Sequence, residues 1–379
     1  MAVAAVDHGP NRVTTLELFF DLVFVFTITQ LTAVLYHAPT LRSLAQVVLM
    51  LGVIWWMYGG YAWMTNAVSA HTTNRRLLLL GGMGGYFVLA LSIPSAFSSS
   101  GLAFGLAYLV VVGVHSTLFA RASSANVTKA ILRLTPFNVA SALVVVAGGA
   151  IGGRAQYVLW GVAFAFEWLT PVMRKPSGFA IGAAHFVERH GLVVLVAIGE
   201  SVVAIGIGAS HLPVDAGLVA VAGLGPALSA CLWWLYFGGD DDRAEGALGA
   251  LPPVERAWAA LAGFGYWHIP MLLGIVTVAA AERRAFAEPF TALSWPLAAL
   301  LGGGIAAFLA GDVLFRRALG FGRLDVRAAA AALAVATLPL GAAVFPAAQI
   351  GALVALLVAA IVVEALLERS PAPAVPRTV

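Results

Sequence analysis

The stretch LELFFDLVFVFTITQLTAVL, residues 16–35, decides the fold. Its length is that of a helix crossing the hydrocarbon core of a bilayer, roughly 20 residues. Yet Glu17 and Asp21 lie inside it, one helical turn apart. An ionised carboxylate at such depth costs at least ~2.5 kcal/mol on the lenient insertion scales, so it faces a bundle interior or a wet cavity and marks a pathway or a partner. The run therefore predicts a membrane helix with one face turned to protein.

The remainder of the chain repeats the pattern. Of 379 residues, 61% are hydrophobic and 10% are charged, where soluble domains carry about 25% charged residues. This excludes an ordinary soluble domain and predicts an all-α fold, a polytopic transmembrane bundle of about twelve helices. The apolar segments run approximately 14–36, 43–68, 77–97, 101–120, 134–152, 155–173, 181–209, 214–238, 255–280, 290–315, 327–346 and 348–367, with Phe345-Pro346 breaking the last pair. The first residues lack the basic n-region and small-residue cleavage site of a signal peptide, so the first helix is expected to be retained.

Charge patterning sets an orientation. With the N terminus inside, only Arg42, Arg154, Arg283 and Arg284 of the 21 lysines and arginines fall on the far side, and Arg189 lies within a helix. That bias is the positive-inside signature and predicts both termini in the cytoplasm. A net charge of +3 spread over loops makes no basic stripe, so nucleic acid is not an expected partner. The partners to expect are the lipid bilayer and a small solute or ion of unknown identity, and the oligomeric state does not follow from the residues. The single cysteine, Cys231, excludes a disulfide framework and every multi-cysteine metal site.

The chain also resembles itself. Glu17 pairs with Glu188 at an offset of 171, Trp55-Trp56-Met57-Tyr58 with Trp233-Trp234-Leu235-Tyr236 at 178, Gly85-Tyr86 with Gly265-Tyr266 at 180, and Glu167 with Glu364 at 197. The growing offset fits loop residues gained in the second copy. Six crossings per copy give two parallel repeats related by an axis along the membrane normal, as in parallel-repeat transporters. The expected organisation is a cytoplasmic segment over 1–13, halves over 14–175 and 176–368, and a cytoplasmic tail over 369–379. Glu17 would then meet Glu188 near the axis, with Glu167 and Glu364 as a second pair.

Four motifs carry a family resemblance: ELFFDLVFVFTITQL from Glu17, HFVERHGLVVLVAIGESV (185–202), WWLYF (233–237) and GYWHIPMLLGI (265–275). In order and over about 15–370, they resemble the bacterial low temperature requirement protein A family. The matching positions are Glu17, Phe20, Asp21, His185, Glu188, Arg189, Gly199 and Glu200. The resemblance implies a many-helix protein of the bacterial cytoplasmic membrane whose family name refers to growth in the cold. It brings no catalytic residues with it.

The residues themselves nominate candidates for a proton, ion or substrate pathway: Glu17, Asp21, Glu167, His185, Glu188, Arg189, Glu200 and Glu364. His185, Arg189 and Glu200 share a stripe at ~100° per residue, and a guanidinium is the readiest neutraliser of a buried carboxylate. Glu200 is the strongest candidate, since it lies ~18 Å further along the helix than Glu188 at 1.5 Å per residue. Asp21 is the deeper of the first pair, while Glu17 could complete a helix cap with Thr14 or Thr15. His185 and Glu188, three apart, form a rival metal-ligand pair in one copy only. His115 and His268 read as satisfied core histidines, Gln30 and Asn138 as interhelical hydrogen-bonding groups, and Asp240-Asp241-Asp242 as a solvated loop.

No nucleophile elbow, phosphate loop, HExxH or dinucleotide fingerprint occurs, so no catalytic residue or cofactor is expected. Clustered buried acids suit a secondary, proton- or cation-coupled transporter. Alternatives are a membrane-embedded enzyme acting on a lipid or isoprenoid substrate, and a non-catalytic protein of the cold or stress response.

Overall fold

A computed structural model describes residues 13–67, 72–121, 125–173, 181–213, 219 and 221–369. The cytoplasmic segment expected before residue 13 and the tail expected after 369 lie almost wholly outside the described residues. The helices are α1 Thr15–His37, α2 Leu41–Ala67, α3 Thr73–Ser92, α4 Gly101–Ala120, α5 Ala125–Ile151, α6 Gly153–Met173 and α7 Ala183–Ala209. They continue as α8 Leu224–Phe237, α9 Asp240–Ala250, α10 Pro253–Ala287, α11 Trp295–Leu319, α12 Asp325–Val344 and α13 Pro346–Arg369.

Eleven of the twelve predicted segments overlap a helix along most of their length, and the remaining one, 214–238, overlaps α8, with residues 214–218 and 220 lying outside the described residues. Ten helices among the described residues are long and apolar enough to cross a membrane, all but α6, α8 and the short α9. The break expected at Phe345-Pro346 is present: Phe345 is extended, and Pro346 opens α13 because proline tolerates the first helical turn. Two helices contain a widened π turn, Leu261–Tyr266 in α10 and Leu340–Val344 in α12.

The helix α9 corrects the reading of Asp240-Asp241-Asp242 as a solvated loop. Gly239 takes a left-handed φ of 113°, turning the chain so that the three aspartates form the first turn of a helix, where carboxylates oppose the positive end of the backbone dipole. Asp240 is buried.

Packing follows the same neighbour order in both halves. In the first, α3 packs on α1 and α4, α5 on α4 and α6, and α2 on α1 and α6. In the second, α10 packs on α7 and α11, α12 on α11 and α13, and α8 on α7 and α13. The halves meet where α1 touches α7 and α10, and where α2 touches the same pair. Large apolar side chains such as Leu22, Leu77, Leu91 and Val362 stay exposed on the outer faces, as a lipid-facing surface requires.

Close approach rests on small residues. At Gly274 an added Cβ would sit 2.7 Å from the Phe308 backbone nitrogen on α11. Missing side chains there let α10 and α11 touch backbone to backbone, the usual device where lipid supplies no hydrophobic drive between helices.

Candidate functional site

The central helices α1, α7 and α10 place the candidate acids in two layers, with two further acids standing apart in the outer bundle. The first layer begins at the start of α1. Thr14 caps the helix by accepting from the Glu17 backbone N–H at 3.3 Å, and the Glu17 carboxylate accepts from the Thr14 N–H at 2.8 Å, a reciprocal capping box. The other Glu17 oxygen lies 3.2 Å from His185 Nε2 and 3.7 Å from Arg189. Glu17 is thus both a cap and an ion-pair partner.

Arg189 reaches from α7 into this layer. Its guanidinium donates to Asp21 Oδ1 at 2.5 Å and to Thr65 Oγ1 at 2.5 Å. Tyr58 of α2 also donates to Asp21 Oδ1, at 3.0 Å. The guanidinium carbon lies 5.7 Å from the ring centres of both Phe20 and Tyr58, so aromatic faces complete its surroundings. Two carboxylates face one guanidinium, and His185 stands at the margin with Asn66 3.3 Å from its Nδ1.

Glu188 does not join them. It is exposed, and its carboxylate accepts from the Val13 backbone N–H at 3.4 Å. The expected meeting of Glu17 with Glu188 is replaced by Glu17 with His185, because residue 188 lies about 100° around α7 from Arg189 and on the outer side of the helix. His185 is likewise directed to Glu17 rather than to Glu188, its i+3 neighbour.

The second layer lies about 16 Å further along α7, eleven residues beyond Arg189. There Glu200 accepts from Thr29 Oγ1 of α1 at 2.7 Å. Glu282 of α10 is fully buried and faces Ser201, though neither of its carboxylate oxygens reaches hydrogen-bond geometry. Among the described residues, neither Glu200 nor Glu282 makes an ion pair. Arg283, the next residue along α10, lies 4.0 Å from the Tyr36 ring centre. Between the layers sit apolar side chains, including Phe24, Ile28, Val193, Val194 and Ala197, all buried.

Glu167 and Glu364 stand apart from both layers and from each other. Glu167 accepts from Tyr108 at 2.5 Å and from Ser141 at 2.6 Å. Glu364 pairs with Arg316 and, at 3.0 Å, with Arg327. Arg316 also holds Asp240 at 2.6 Å, and Arg327 holds Asp312 at 2.6 Å and Asp240 at 3.0 Å. Three carboxylates and two guanidiniums therefore share one buried site joining α8, α9, α11, α12 and α13. At its margin Arg243 pairs with Glu368 at 2.8 Å, a hydrogen bond that holds the Arg243 pKa above the usual arginine range. In each half, the glutamate of the sixth long helix bonds to side chains from the two preceding ones.

Residue-by-residue reading of the sequence missed several of these groups. Glu282, Asp312, Arg316 and Arg327 stand at or just beyond the ends of apolar segments, and Asp240 in a run that reads as a loop, where a charge is ordinarily solvated. For Asp312 and Arg316 a signal existed, since four residues put them on one helix face. His268 is a satisfied core group: it bonds to the Gly263 carbonyl at 2.9 Å and to Tyr236 at 2.8 Å. His115 meets that expectation in part: it is buried with its Nε2 beside Gly60 of α2, yet neither ring nitrogen reaches hydrogen-bond geometry.

The profile described as Bacterial low temperature requirement A protein (LtrA) matches residues 12–363. An uncharacterized protein of Rhizobium meliloti is 30% identical over 316 residues, which is 79% of this chain and 76% of the relative. No solved structure matches.

Proposed function

The chain belongs to the bacterial low temperature requirement A family, and from this premise we propose that it is a proton-coupled secondary carrier of the bacterial cytoplasmic membrane. It is a multi-pass helical membrane protein. The observation that carries the reading is the division of the acids along α1, α7 and α10. At one end Arg189 neutralises Asp21 and Glu17. At the other, Glu200 and Glu282 sit buried without an ion pair.

An ion pair locks helices together, since separating it leaves a charge buried alone. A buried carboxylate outside any ion pair can exchange a proton without that cost. Glu200 and Glu282 are therefore the coupling groups, and the Arg189 site is the fixed joint around which the halves are held. We further propose that the halves are a parallel duplication with both termini cytoplasmic. The matched neighbour order of α1–α6 and α7–α13 supports it, as does the recurrence of Glu167 and Glu364 in equivalent helices. The acids do not converge on one chamber, so coupling is assigned to the Glu200–Glu282 layer alone.

The test is proton flux into proteoliposomes containing the full chain and the dye pyranine, challenged with gradients of Na⁺, K⁺ and a panel of small solutes. Wild type should acidify or alkalinise the lumen with at least one of them, and Glu200→Gln and Glu282→Gln should abolish the response while the Arg189 ion pair and the fold persist. Flux unchanged in both variants would sink the assignment.

A further inference from the structure

A cavity of about 100 Å³ lies where the two halves meet, bounded by α2, α4 and α5 on one side and by the π turn of α10 on the other. It is apart from both carboxylate layers, and among the described residues no Asp, Glu, Lys or Arg lines it. Trp55, Trp56 and Trp63 contribute indole rings to its wall. His115 also lines it, 2% exposed, with Nε2 beside Gly60 of α2 and neither ring nitrogen reaching hydrogen-bond geometry. Buried polar groups almost always find partners, so an unpartnered imidazole beside a cavity points to something that binds there.

Two glycines make the space. At Gly60 an added Cβ would stand 3.1 Å from His115 Nε2, so the missing side chain is what seats the imidazole. At Gly59, also in the lining, an added Cβ would meet no heavy atom within 4 Å. The opposite wall is the π turn Leu261–Tyr266, whose Phe264 and Gly265 carbonyls accept from Trp55 Nε1 at 3.2 and 2.9 Å. Widened helical turns of this kind recur at functional sites.

We infer that this cavity binds one uncharged aromatic ring bearing an O–H or N–H group, of the class of a small phenol, with His115 as its hydrogen-bond partner. An uncharged ligand follows because the described lining offers no counter-charge. The volume sets the upper limit: an apolar cavity of about 150 Å³ takes up a benzene ring, so one of about 100 Å³ holds no more than a single ring. Aromatic character follows from the three tryptophans in the wall, whose rings favour an edge-on or offset aromatic partner.

The experiment uses the full chain in lipid nanodiscs, with phenol, toluene and tetramethylammonium as probes and empty nanodiscs as the partition control. Binding is read by saturation-transfer NMR and by thermal shift, without any gradient, so its outcome is separate from that of the carrier assignment. Phenol should bind saturably and tighter than toluene. His115→Leu should weaken phenol about fivefold to tenfold, the loss of one hydrogen bond, and leave toluene unchanged. Gly59→Leu should abolish both by filling the space.

Phenol uptake that is unsaturable, or equal in wild type and Gly59→Leu, overturns the proposal. So does displacement of phenol by tetramethylammonium, which would make the cavity an aromatic cage for a cation. Toluene binding as tightly as phenol would instead make it an apolar or acyl-chain site. Should His115→Leu fail to fold, the phenol–toluene preference of wild type and the Gly59→Leu result decide.

Discussion

Arg189 of α7 meets Asp21 of α1 at 2.5 Å with both side chains almost wholly buried, 1% and 3% exposed. A charge pair that water does not reach is expensive to break from one side only, because the survivor is left without compensation, about 3–5 kcal/mol. Asp21→Leu and Arg189→Leu should each lower unfolding stability by that order. The double variant should lose much less than their sum, which a double-mutant cycle in detergent unfolding measures; additive losses would mean the two charges are not coupled.

A contrast within the second charge cluster separates buried from solvated pairs. Arg327 is 4% exposed and touches Asp240, Asp312 and Glu364. Arg243, whose side chain is 42% exposed, pairs with Glu368 at the rim. Arg327→Ala should therefore cost several kcal/mol, about 3–5, as for other buried pairs, and Arg243→Ala no more than about 1. High salt should leave the first loss unchanged. Equal losses in thermal unfolding would contradict the burial assigned to the cluster.

Glu17 is bound into a cap and an ion pair together, so its variants should split the two roles. Glu17→Gln keeps a side chain that can return to the Thr14 N–H, whereas Glu17→Ala leaves that donor open at a cost of about 1 kcal/mol. Gln should consequently be the milder change in thermal stability, and neither should abolish proton flux. Flux lost in Glu17→Gln with the fold intact would move coupling from the Glu200 layer to the Arg189 layer.

Helix contact through glycine is testable at two neighbouring positions. A side chain at Gly274 would meet the Gly304 carbonyl oxygen at 2.5 Å and the Phe308 nitrogen at 2.7 Å, while one at Gly303 would meet nothing within 4 Å. Gly274→Val should prise α10 from α11 and lower the yield of folded protein by size-exclusion chromatography; Gly303→Val should not. Indistinguishable elution profiles would show that this contact does not hold the pair together.

Legibility varied with the range of the interaction. The capping box at Thr14 and Glu17 is readable because its partners are three residues apart, and the break at Phe345-Pro346 because proline acts on its immediate neighbours. Arg189 is identifiable as a neutraliser, but Asp21 as its partner is not, since 168 residues separate them. Asp240 shows the opposite failure. Three aspartates in a row read as solvent-exposed until Arg316 and Arg327, contributed by later helices, remove one of them from water.

Taken alone, the amino-acid sequence determined the helical membrane class, the approximate extents of most of the long helices and the face of α1 that turns inward. Hydropathy and helical period are local, and a bilayer forces the backbone of each apolar run to satisfy its own hydrogen bonds. Only the tertiary structure decided which acids are neutralised, which stand unpaired and where a cavity opens between the halves. Those outcomes depend on side chains brought within hydrogen-bond distance across helices far apart in the chain, and no spacing within one segment encodes them.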